Sequence, residues 1–253
     1  MGNSKEIRIG FHPEEERFVT RRMVIKIGSS TITGNTENLD VNFMENIVRQ
    51  ATSLFHNGVE VIIVTSGAVA SGKKGLTLEA SSMFGQRNLI TGWDKVFEKY
   101  GIEIGPLLLT DNHLVEGLGK VLVDALKGGI LIINGQDAVN NLSNSEICKD
   151  NDRLAGSLAK LVNADTLLLL TDKDGVLDKD RKTIEILNPT AEIVIFDESK
   201  KVFNGGIVSK IKVAREFSGR AIIADGKTED VVLKVARGEK AGTEVKSIQS
   251  LLF

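Results

Sequence analysis

The sequence predicts an α/β fold, a three-layer sandwich with a mainly parallel central sheet. Two observations predict it. Short, continuous apolar runs recur at residues 23–27, 59–64, 103–109, 130–133, 166–170, 193–196 and 221–224. Such β-branched or leucine-rich runs suit strands covered on both faces. Between them lie stretches with apolar residues at helical spacing, and strands alternating with helices imply βαβ units.

The first run, "MVIKI", is apolar except for Lys26 and stops at Gly28. After it, Asp40 is placed to cap a helix whose Val41, Met44, Ile47, Val48, Ala51, Leu54 and Phe55 repeat at helix spacing. Asn57-Gly58 is its expected stop. Similar patterns predict helices over 86–100, 114–127, 152–163, 206–218 and 228–237. The chain has three prolines and shows no internal repeat or low-complexity linker, so residues 21–253 read as one domain. Residues 1–20, with the charged Glu14-Glu15-Glu16-Arg17, read as an extension, partly disordered.

Composition excludes several function classes. The 253 residues carry a net charge of -2 with interspersed signs, which leaves no basic footprint for nucleic acid. Cys148 is the only cysteine, so an internal disulfide or a cysteine-based zinc site is ruled out. His12, His56 and His113 form no metal-binding pattern and read as ordinary surface or boundary residues. The longest apolar stretch, 121–133, is broken by Asp124 and Lys127 and falls short of the ~20 residues of a membrane span. The polar start fits no signal peptide, and Glu6 stands where a myristoylation signal needs Ser or Thr. The expectation is a soluble, cytoplasmic protein without nucleic-acid or membrane partners.

The second run leads into "VTSGAVASGKK", which contains G-x-x-x-x-G-K from Gly67 to Lys73. A P-loop requires Ser or Thr directly after that lysine, because the hydroxyl ligates magnesium. Here the residue is Lys74, so the match fails.

In open α/β sheets, ligands bind beyond the carboxyl ends of the strands. That rule selects Lys26-Ile27-Gly28-Ser29-Ser30, Thr65-Ser66-Gly67-Ala68, Asn134-Gly135-Gln136-Asp137 and Thr171-Asp172-Lys173-Asp174-Gly175. Any one of them could be an ordinary turn; together they mark one edge of a sheet. Lys26 sits inside an apolar strand beside a glycine that lets a ligand approach the backbone. Its ammonium could simply snorkel to the strand end, or be aimed at a phosphate. Gly205-Gly206 opens a helix carrying Ser209 and Lys210, and exposed amides at a helix start favour anions. Two lysines and two glycine-rich turns suit phosphoryl transfer, which needs mostly positioning and charge neutralisation.

Eight segments, in order and spacing, resemble the amino-acid kinase family over residues 22 to about 245. They are "VIKIGSS", "VIIVTSGAVASG", "GQRNLI", "YGIEIGPLLLT", "IINGQDAV", "KDNDRLAGSLA", "LLLLTDKDGV" and "NGGIVSK". Within the family the chain is most similar to the branch that makes γ-glutamyl phosphate from glutamate and ATP. The resemblance implies an amino-acid kinase-like fold, ATP and Mg2+ as cofactors, L-glutamate as the small-molecule substrate and a homo-oligomer. It implies that Lys26 and Lys210 stabilise the transferring phosphoryl group while Asp152 holds them in place. Ser66, Gly67, Asp137 and Asn151 would bind the acceptor. Gly28, Thr171, Asp172, Asn204, Gly205, Gly206 and Lys210 would bind the nucleotide, with magnesium bridging its phosphates. Lys73 would be incidental.

The departures from the family pattern fall mainly on the acceptor side. Gln136 stands in a turn that usually reads Asn-Glu-Asn-Asp, residues 79–84 are shorter than usual, and residues 111–124 lack arginine. Asn204 and Ser209 replace threonines of the nucleotide loop. The chain also ends before the C-terminal RNA-modification-type domain that many members of this branch carry. The alternatives are a related kinase for another small acid or phosphate, and a catalytically weak regulatory or binding homologue.

Overall fold

A computed structural model describes residues 17–34, 36, 38–191 and 206–251. The run expected at 193–196 and most of the N-terminal extension lie outside the described residues. Along the chain, β1 (Arg22–Ile27) is followed by α1 (Ser29–Thr33), α2 (Val41–His56), β2 (Glu60–Thr65), α3 (Leu78–Glu98) and β3 (Ile104–Leu109). Then come α4 (Glu116–Ala125), β4 (Ile130–Gly135), α5 (Asp137–Asn140), α6 (Asn151–Leu161) and β5 (Thr166–Thr171). The chain closes with β6 (Ile186–Leu187), α7 (Ile207–Glu216), β7 (Arg220–Asp225), α8 (Val231–Ala236) and β8 (Thr243–Val245).

These strands form one sheet in the order β3-β4-β2-β1-β5-β7-β8-β6. Every pairing is parallel except that between β7 and β8. Side chains alternate across a strand, and the two apolar cores follow that alternation. Met23, Ile25 and Ile27 face α2, α3 and α8, whereas Val24 faces α4, α6 and α7. Helices thus cover both faces, giving the three layers. The parity of β1 also directs Lys26 to the same side as Val24, toward α6 and α7.

The long predicted elements are present, and the differences have local causes. Helix α3 begins at Leu78 rather than residue 86, because Thr77 caps it by accepting from the Ala80 amide at 3.3 Å. Its first turns are polar, since Ser81 and Ser82 turn their hydroxyls onto the carbonyls of Val69 and Glu79. Helices α1 and α5 and strands β6 and β8 are too short for a periodic signal. Val19 and Thr20 both donate to the Ala236 carbonyl, and Phe18 packs on the core, so the chain joins the domain before residue 21. Among the described residues no helix is long and apolar enough to cross a membrane.

Candidate active site

The C-terminal ends of β1, β2 and β4 converge on the N-terminus of α6, where they line a cavity of about 630 Å3. Lys26, Gly28, Ser66, Gly67, Asp137, Asn151, Asp152 and Lys210 all line it. Eight side chains or turns selected from sequence therefore meet in one place. Lys149, Asp150, Ser29, Ser30 and Val69 complete the wall.

The floor is an ion triad. The Lys26 ammonium lies 2.7 Å from one oxygen of Asp152, and Lys210 lies 3.0 Å from the other. Two ammonium groups share one carboxylate, so one positive charge is left for an anion. Burial lowers the Lys26 pKa most, Asp152 opposes that by attraction, and Lys210 adds to the lowering; the net direction is downward. Asp152 is placed by the α6 cap, where Asp150 accepts from its amide at 2.9 Å. The other oxygen of Asp150 accepts from the Ser209 hydroxyl at 2.6 Å, which ties the starts of α6 and α7 together. Lys210 then reaches Asp152 from the first turn of α7.

A second layer of hydrogen bonds ties together the turns that follow β2 and β4. The Asn151 amide donates to Ser66 Oγ at 2.9 Å and to Asn134 Oδ1 at 3.0 Å, while its oxygen accepts from the Gly135 amide at 3.3 Å. Asn134 in turn donates to Gln86 of α3 at 2.9 Å. Gly67 adopts φ +110, a conformation that only glycine enters easily. Burial raises the pKa of Asp137, and a hydrogen bond with Asn134 only partly offsets it. Gln86 and Lys149 were not singled out from sequence; both stand inside the quoted segments "GQRNLI" and "KDNDRLAGSLA", which was the available signal.

Thr171 and Asp172 sit at the end of β5, on the same edge of the sheet but outside the lining of this cavity. Gly206 is the N-cap of α7 and also lies outside that lining. Asn204 and Gly205 fall outside the described residues. Lys73 is exposed, with its ammonium 5.8 Å from the centre of the Phe84 ring. No helix begins at Lys73, which a P-loop requires.

Among the described residues, no group of three His, Cys, Asp or Glu side chains could hold a metal ion. Both Asp152 oxygens are already engaged by lysine. The donor set fits an anionic polyphosphate rather than a bare metal ion.

The family model described as the amino acid kinase family matches residues 21–224. The chain belongs to the amino acid kinase family. Within this kinase family it is 34% identical to glutamate 5-kinase of Shewanella oneidensis, over 92% of this chain and 69% of that protein. It is 36% identical to glutamate 5-kinase of Caldanaerobacter subterraneus subsp. tengcongensis, over 88% of this chain and 67% of that protein. The chain thus spans about two thirds of the length of these relatives. A solved UMP kinase from Bacillus anthracis superposes with a TM-score of 0.65 over 90% of this chain and 97% of its own. At 17% identity that likeness concerns the fold alone.

Proposed function

We propose that this amino acid kinase transfers the γ-phosphoryl group of ATP to the γ-carboxylate of L-glutamate, forming γ-glutamyl phosphate for proline biosynthesis. The observation that carries the reading is the Lys26–Asp152–Lys210 triad at the floor of a cavity whose other wall holds Ser66, Gly67, Asn151 and Asp137. The similarity to proteins named glutamate 5-kinase supports the choice of acceptor.

A γ-carboxylate is ionised at neutral pH, since its ordinary pKa is about 4.3. Its attack on phosphorus therefore needs no general base. One carboxylate oxygen bonds to the γ-phosphorus while the bond from that phosphorus to the departing ADP oxygen breaks. Lys26 and Lys210 neutralise the negative charge on the transferring group, and Asp152 holds their ammonium groups in position. Electrostatic placement of this kind is the main means of catalysing phosphoryl transfer. Further charge neutralisation would come from a magnesium ion brought in with the nucleotide. Asn151 and the Ser66-Gly67 turn offer neutral donors to the acceptor, and Asp137 offers a carboxylate to its ammonium. In this reading Thr171, Asp172 and the 204–210 segment serve the nucleotide. A cytoplasmic location and a homo-oligomer remain part of it, drawn from sequence.

An ATP-consumption screen with glutamate, aspartate, N-acetylglutamate, carbamate and small phosphates tests it, with hydroxylamine present to trap an acyl phosphate. ADP release that depends on glutamate and is matched by hydroxamate is the expected result. Turnover with another acceptor instead would keep the kinase and refute glutamate.

A further inference from the structure

We propose that Lys149 binds the α-carboxylate of the acceptor and so makes the site selective for an α-amino acid over a simple amine acid. This rests on the glutamate reading above and adds a residue to it.

Lys149 and Asp137 line the same cavity, yet among the described residues neither takes part in an ion pair. The other two cavity lysines differ, because both are occupied by Asp152. A cation and a carboxylate that line one space, each without an ion-pair partner and not bonded to each other, complement a ligand carrying both charges. The head of an α-amino acid, with its ammonium and carboxylate on one carbon, is such a ligand.

The backbone places Lys149 on the acceptor side. The carbonyl of Cys148 accepts from the Asn140 amide group at 3.2 Å and lies against Gly135, where an added Cβ would stand only 2.1 Å from it. Residue 149 thus leaves directly beside the turn that carries Asp137. The segment before it is pinned by Asp111, whose carboxylate accepts from the amides of Glu146 and Cys148 at 2.7 Å and of Ile147 at 3.1 Å. The Ser145 hydroxyl adds a fourth bond at 2.7 Å. The side chain thereby departs from a fixed point, so binding has only that side chain to order and not the loop that carries it. Lys149 is exposed, so its ammonium reaches a carboxylate without first being buried.

The test compares three acceptors with the full chain. 4-Aminobutyrate is glutamate without its α-carboxylate, and glutarate is glutamate without its ammonium. Lys149→Met should cut the preference for glutamate over 4-aminobutyrate, measured as a ratio of kcat/KM, by roughly ten- to a hundredfold. The loss should appear in KM for glutamate, KM for ATP should hold, and Lys149→Arg should restore part of the preference. Asp137→Asn should instead flatten the preference for glutamate over glutarate. A Lys149→Met enzyme that keeps the wild-type preference for glutamate over 4-aminobutyrate overturns the assignment. So does an equal loss on both acceptors, which would place Lys149 away from the α-carboxylate. If the wild type turns over none of the three, the glutamate reading fails and this inference with it.

Discussion

The Lys26 ammonium stands 2.7 Å from Asp152, with the two side chains only 7% and 2% exposed. Lys210 takes the other oxygen of the same carboxylate. Removing one member of a buried ion pair leaves an uncompensated charge, which costs about 3–5 kcal/mol. Asp152→Asn leaves two buried ammonium groups facing a neutral amide. We expect its urea unfolding midpoint to fall accordingly, with turnover lost as well. An unchanged midpoint would show that the lysines are solvated rather than held.

Lys210→Ala should act on rate rather than on acceptor affinity. A charge used chiefly in the transition state lowers kcat and kcat/KM together, and losing one such stabiliser costs on the order of 10²–10³ in rate. Steady-state kinetics with glutamate varied would show a lower kcat at nearly constant KM. Normal turnover would remove the start of α7 from the site.

Lys73→Ala should leave ATP turnover almost untouched. The lysine is exposed beside Phe84, and no helix starts at it. A defect as large as that of Lys26→Ala would revive the P-loop reading.

Gly85 carries the closest approach between α3 and the turn after β2. A Cβ there would stand 1.7 Å from the Ala68 carbonyl oxygen and 2.7 Å from the Gly72 nitrogen. Gly85→Ala must therefore displace the backbone that follows Ser66 and Gly67. A misplacement of about 1 Å in a positioning element can cost about a hundredfold, so kcat/KM for glutamate should drop by that order. KM for ATP should change far less, and equal losses on both substrates would contradict the assignment of this turn to the acceptor.

Asp111 makes stability depend on acid. Desolvation pushes its pKa upward, but the bonds from Cys148, Ser145, Ile147 and Glu146 together outweigh it and hold the carboxyl well below its usual value. A group whose folded pKa is depressed contributes stability above its unfolded pKa, about 3.9, and loses it as pH falls through the folded value. The stability gap between wild type and Asp111→Asn should therefore be full at neutral pH and shrink below about pH 4. Urea titrations of both proteins from pH 7 downward measure it. A gap that stays constant would mean that the charge of Asp111 is irrelevant to the 145–148 turn.

Much of the fold was legible because its long elements repeat a local rule. The apolar runs of β1, β2, β4, β5 and β7 and the helical spacing of α2 and α6 are properties of neighbouring residues, readable without a partner. Cap residues were legible for the same reason, as Asp40 shows by accepting from the Phe43 amide at 3.0 Å. The short elements α1, α5, β6 and β8 were not, since a few residues carry no period and are held by what they pack against. The start of α3 was missed because its first turns spend their polar side chains on nearby carbonyls, which hides the apolar face.

The sequence by itself determined that this chain is an amino-acid-kinase-like α/β domain and that Lys26, Asp152 and Lys210 are its charged strand-end and helix-start residues. The family resemblance already implied that Asp152 holds both lysines; only the tertiary structure decided that the three are buried, with each lysine on its own carboxylate oxygen. The parity of β1 turns Lys26 toward α6, and the Ser209–Asp150 bond brings α7 alongside. The same holds for Asp111, which no motif marks and which gathers amides some 35 residues away along the chain. Charges distant in sequence interact only where the chain has closed its loops, because attraction between them falls with distance and with exposure to water.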